Sequence, residues 1–157
     1  AEYYAQEQGK SRWFDKTPQN VYGLPMLVEQ FPDSKIIHLV RNPFAVVKSL
    51  LDGKVLRVKD VVGAANYWYE AVSIVNVLKP VLGSNLIEIK YEDFVRDPGR
   101  EIQNLGKNLG VDLSAIDVNE VKIVSDDRAV KDHFTQDAWD TIMRVSSKYA
   151  DLYGYAT

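Results

Sequence analysis

Residues 31–49, FPDSKIIHLVRNPFAVVKS, restrict the fold more tightly than any other part of the chain. Pro32, Asp33 and Ser34 supply turn chemistry. Ile36, Ile37, Leu39 and Val40 then form a near-continuous apolar run, the pattern of a parallel strand covered on both faces. Arg41 falls where that strand ends. Asn42 can cap a helix N-terminus, and Pro43 suits the first helical position. The helix continues through Phe44–Leu51 and stops near Asp52-Gly53. A strand that turns straight into a helix presents unpaired N–H groups and a positive dipole end, which favour an anion. Arg41 adds a guanidinium whose fork matches phosphate oxygens. Ser49 shares a helix face with Ala45 and can turn its hydroxyl toward the side where Arg41 emerges. Two readings stay open here: one phosphate held by Arg41 and Ser49, or an ordinary corner with a surface arginine.

Two further segments read as strands, Ser11–Lys16 and Asn85–Lys90. Helical patterns cover Ala1–Gln8, Asn20–Gln30, Val61–Leu82, Pro98–Leu109 and Gln136–Leu152, with Gly23 and Pro25 weakening the start of the second. Three strands alternating with helices give an α/β class with a parallel sheet, flanking helices and right-handed crossovers. Residues 1–157 are expected to form a single domain. In open α/β sheets the ligand crevice lies outside the carboxyl ends of the strands. Lys16 and Arg41 are both expected there, at strand ends on one sheet edge. His38, inside the strand, reads as a buried, hydrogen-bonded histidine rather than a base.

Composition narrows the partners. The net charge of −3 implies no bulk attraction to nucleic acid. There are no cysteines and only two, well separated, histidines, so no metal site is expected. No apolar run reaches the length of a membrane span, and residues 1–12 lack the apolar core of a signal peptide. The expected location is therefore cytoplasmic.

The corner does not stand alone. Upstream is Lys16-Thr17-Pro18; downstream are Tyr91-Glu92-Asp93-Phe94 and, near the end, Tyr153-Gly154-Tyr155. In this order and spacing, from about Trp13 to Tyr155, the set resembles the PAPS-dependent sulfotransferase family. That family moves a sulfonate from 3'-phosphoadenosine 5'-phosphosulfate (PAPS) to an acceptor hydroxyl or amine, and its fold is P-loop nucleotide-binding-like. The resemblance implies that Arg41 and Ser49 bind the 3'-phosphate of PAPS or of 3',5'-ADP. It also implies that Lys16 serves the transferring sulfonyl group as a catalytic cation. Ser125–Phe134 falls where the family places a basic loop near the cofactor, which makes Arg128 and Lys131 candidates; the family's glycine and tryptophan are not there. Residues 54–60 fall where the family borders its acceptor, a small molecule or a glycan. Glu92 and Asp93 read better as structural carboxylates, capping N–H groups and meeting Arg96, than as an acid/base pair. The base is unassigned, with Asp15 and His133 as candidates.

One departure matters. The family opens with a strand and a Gly- and Ser/Thr-rich loop that cradles the 5'-phosphosulfate. This sequence starts at Ala1 and reaches Lys16-Thr17-Pro18 after fifteen residues, with no such loop. The expectation is a sulfotransferase domain truncated at its N-terminus, with an unpaired sheet edge that invites a homodimer. Two other classes remain: a non-catalytic nucleotide-binding remnant, and a P-loop kinase-like enzyme, whose Lys-Ser/Thr phosphate loop is missing here.

Overall fold

The computed structural model describes residues 2–53, 58–120, 130 and 133–155. Two strands, β1 (Ile36–Val40) and β2 (Leu86–Lys90), pair in parallel, from Ile36 opposite Leu86 to Val40 opposite Lys90. Before them come α1 (Glu2–Glu7), a 3-10 turn over Pro18–Gly23, and α2 (Leu24–Gln30). The crossover between the strands contains α3 (Pro43–Leu51) and the long α4 (Val61–Leu82). After β2 follow α5 (Tyr91–Arg96), α6 (Pro98–Leu109), a 3-10 turn at Val118–Glu120 and α7 (Gln136–Leu152). No helix among the described residues is long and apolar enough to cross a membrane.

The helices begin where side-chain oxygens can take the first free N–H groups. Asn42 accepts from Phe44 N at 2.9 Å, Asp60 from Gly63 N at 2.8 Å and Asp97 from Arg100 N at 3.1 Å. Thr135 does the same for Ala138 N at the start of α7. Gly110, with φ of 62°, closes α6 in the left-handed region.

Most of the core lies on one face of the sheet, where α4 and α7 pack together. Val40 of β1 is buried with Trp68 and Val72 of α4, and with Tyr149, Ala150 and Tyr153 at the end of α7. A second cluster joins Phe44 and Val47 of α3 to Ala64, Ala65 and Ile142. Phe44 stacks on Trp139, centroids 3.8 Å apart and rings 24° from parallel. Burying one such side chain contributes about 2 kcal/mol. Leu24, Val75 and Leu82 form a third cluster that holds α2 against α4.

A polar network crosses this layer. Glu88 of β2 accepts from Tyr153 Oη at 2.5 Å, pairs with Lys79 at 2.7 Å, and lies 3.2 Å from Nδ1 of His38, its opposite number on β1. Burial pushes the Glu88 carboxyl up, but Lys79, Tyr153 and His38 together hold it below the ordinary carboxylate range. For His38 burial prevails over the attraction of Glu88, and its pKa is lowered. His38 is thus a partnered histidine, as its place inside the strand suggested.

Three expectations need correction. Ser11–Lys16 forms no strand, so the described sheet has two strands and not three. An extended segment becomes a strand only when a neighbour takes its backbone groups, and no described strand runs beside it. Trp13 packs edge-on against Phe31 at 5.6 Å instead, while Phe14 is 89% exposed. Second, among the described residues β1 is covered on one face only. Ile37 and Leu39 are 47% and 53% exposed, whereas their register partners Ile87 and Ile89 are each 8% exposed, on the strand that α6 packs against. Third, the helix expected over Asn20–Gln30 divides at Gly23 into a 3-10 turn and α2, whose first turn holds Pro25. Proline supplies no N–H to continue the preceding turn.

Candidate functional site

Arg41 occupies the carboxyl end of β1, the position from which the loops of an open sheet address a ligand. Its guanidinium carbon stands 4.4 Å from the centroid of the Tyr91 ring, the first residue of α5. The cation–π contact sets the plane of the fork and leaves its charge intact.

The backbone on both sides of Arg41 is held by side chains. Trp68 Nε1 donates to the Arg41 carbonyl oxygen at 2.9 Å. Glu92 Oε1 accepts from Asn42 N at 2.8 Å. These two atoms belong to the same peptide unit, which is therefore fixed from both ends. Tyr155 Oη donates to Glu92 Oε2 at 2.6 Å and lies 3.3 Å from the Val40 carbonyl oxygen, in the peptide unit preceding Arg41. Burial raises the Tyr155 pKa, and the Glu92 carboxylate raises it further, so the phenol stays protonated. Lys90 places its ammonium 5.3 Å over the Tyr155 ring and donates to the Tyr153 carbonyl.

This arrangement changes how an anion can be held. The Asn42 N–H goes to Glu92, the Phe44 N–H to the Asn42 side chain, and Pro43 has none. Most first-turn donors of α3 are thus engaged, and a phosphate at this corner must be gripped chiefly by side chains. Ser49 is exposed on the last turn of α3, six residues beyond Pro43 and about 9 Å farther along the helix axis. Lys16 is exposed on the irregular segment ahead of the Pro18–Gly23 turn. No hydrogen bond or ion pair joins any two of Lys16, Arg41 and Ser49 among the described residues. Arg128 and Lys131 lie outside the described residues.

The two candidate bases fare differently. Asp15 accepts from Asn20 at 2.7 Å and from Thr17 at 2.9 Å, and these bonds lower its pKa, which makes it a weak proton acceptor. His133 is exposed and packs edge-on against Phe134 at 5.1 Å. Asp93 pairs with Arg96 at 3.0 Å while Glu92 caps the corner, so neither carboxylate is set up as half of an acid/base pair. A groove of about 270 Å³ between β2 and α6, lined by Ile87, Ile89, Asn104 and Leu105, contains none of these residues.

The sequence missed the parts played by Tyr91, Trp68 and Tyr155. The YED and YGY motifs were visible, but nothing local showed that both converge on the Arg41 corner. Trp68 was legible as a core residue, which it is, without sign that its N–H would find the Arg41 carbonyl.

The model of the sulfotransferase family matches residues 1–115, most of the chain and the whole of the Arg41 corner with α5. The chain belongs to the sulfotransferase family. A solved structure, the sulfotransferase domain from the Synechococcus PCC 7002 olefin synthase, superposes on this family member with a TM-score of 0.67 at 25% sequence identity. The alignment covers 94% of the present chain and 62% of that domain. No curated protein sequence matches significantly.

Proposed function

We propose that this sulfotransferase-family chain carries the 3'-phosphate site of a PAPS-dependent enzyme. As part of a complete domain it would pass a sulfonate to the hydroxyl or amine of a small-molecule or glycan acceptor. The observation that carries this reading is Arg41, held at the carboxyl end of β1 with its guanidinium over Tyr91. A cation with a fixed fork plane fits a phosphate better than a mobile surface arginine does.

The residues suit the group through side chains. Arg41 offers charge and paired donors, Ser49 a hydroxyl, and Arg128 and Lys131 further charge. PAPS, when bound, supplies a sulfonate on a good phosphate leaving group. Lys16 would stabilise negative charge on the sulfonyl oxygens during in-line transfer, the kind of placed charge worth several kcal/mol to a transition state. The chain is read as one domain, and the uncovered Ile37 and Leu39 beside the outer edge of β1 support association with a second copy through that edge.

Calorimetric titration with 3',5'-ADP tests the reading. Saturable binding that Arg41→Ala weakens at least about tenfold is expected, with Arg100→Ala as the exposed control. A folded chain that takes up no nucleotide would mark a non-catalytic relative.

A further inference from the structure

We propose that Glu92 and Tyr155 are positioning residues for Arg41: Glu92 fixes the peptide unit that follows it and Tyr155 orients Glu92, so that the guanidinium is presented to a phosphate in one direction. The inference rests on the reading of Arg41 as a phosphate-binding residue and adds to it two residues remote in sequence. Its basis is geometric. Glu92 takes the N–H of the peptide that follows Arg41, at 2.8 Å, while Trp68 holds the carbonyl of that same peptide at 2.9 Å. Tyr155 binds the second Glu92 oxygen at 2.6 Å and approaches the carbonyl of the preceding peptide at 3.3 Å. With the following peptide held by Glu92 and Trp68, and Val40 held in the strand pair opposite Lys90, the backbone of Arg41 is set, and with it the direction in which its side chain leaves the chain.

The chemistry explains why a carboxylate and a phenol do this work. A carboxylate has two acceptor edges and can serve a backbone donor and a hydroxyl at once. Charge-assisted bonds of this kind are short and strong, which suits a clamp. Both Glu92 oxygens are taken by donors, Asn42 N and Tyr155 Oη. Tyr155 stands at the far end of the chain, just beyond α7, so the clamp also ties the closing segment to the corner.

The test is a double-mutant cycle read by 3',5'-ADP affinity, alongside amide hydrogen exchange on the ligand-free chain. Tyr155→Phe removes one hydroxyl and should weaken binding about tenfold in the Arg41 background and not at all in Arg41→Ala. Glu92→Ala should weaken binding at least as much, whereas Glu92→Gln, which keeps an acceptor for the Asn42 N–H, should stay within about threefold of wild type. Without ligand, Tyr155→Phe should speed exchange at the Asn42 amide about tenfold and leave α4 unchanged. If Arg41→Ala weakens binding while Tyr155→Phe does not, the positioning role is overturned and the phosphate reading stands. If Arg41→Ala binds as well as wild type, the phosphate reading falls. Exchange that accelerates equally through α4 and α7, or not at all at Asn42, overturns the clamp even in a chain that binds no nucleotide.

Discussion

The guanidinium of Arg41 stands 4.4 Å over the ring of Tyr91, so the end of β1 and the start of α5 meet at one cation–π contact. The ring is expected to keep the fork in one plane. Tyr91→Ala should therefore reduce 3',5'-ADP affinity by an amount matching about 1 kcal/mol, while Tyr91→Phe, which retains the π face, should recover most of it. Calorimetry on the two variants checks this; equal losses in both would assign the effect to the hydroxyl.

Acid should loosen the sheet in two stages. The ordinary histidine pKa is 6.5, and burial holds His38 below it. As pH falls below 6.5 the unfolded chain takes up this proton before the native one does. The stabilising contribution of neutral His38 is thus complete above that value and is lost as pH drops through the folded pKa. Glu88, held below its ordinary 4.5, follows the same rule in a lower window. Thermal melts from about pH 8 to about pH 3 should show a decline that starts near neutrality, and His38→Gln should flatten the upper part only. A His38→Gln profile that runs parallel to wild type across the upper window would refute the assignment.

Gly106 sits where α6 meets the chain after it. A Cβ added there would lie 2.9 Å from the Val111 carbonyl oxygen, a backbone atom. Gly106→Ala should cost about 1–3 kcal/mol despite alanine's better helix propensity. Gly99, also in α6 but with its nearest neighbour 3.9 Å away, should accept alanine without loss. Urea unfolding of the pair gives the comparison.

The exposed face of β1 bears on self-association. Leu39 is 53% exposed, so Leu39→Lys should leave the melting temperature nearly unchanged. If two copies join along the edge of β1, the same substitution should shift sedimentation toward the monomer. A wild-type chain already monomeric at high concentration would remove the dimer.

Much of this architecture could be read before any coordinates. The β1–α3 corner announced itself because each residue had a local reason: apolar run, asparagine cap, proline at the first turn, and Asn42 and Pro43 do stand there. The long α4 and α7 followed from apolar spacing over many turns. Ser11–Lys16 failed because strand formation depends on a neighbour, which local residues cannot report. The bare face at Ile37 and Leu39 failed for the same reason: an apolar pattern states what could be covered, not what covers it. The position of Arg41 just after a strand was legible, and it stands there. Its contacts with Tyr91 and Trp68, and the clamp from Glu92 and Tyr155, span tens of residues and emerge only when α4, α5 and the closing segment are placed around the corner.

The central claim is that Arg41 grips the phosphate on the 3' position, and a pair of ligands isolates that group. Affinities for 3',5'-ADP and for 5'-AMP, which lacks it, should differ by at least about tenfold in the wild-type chain and converge in Arg41→Ala. Equal affinities in the wild type, or a preference for 3',5'-ADP that survives in Arg41→Ala, would contradict the account.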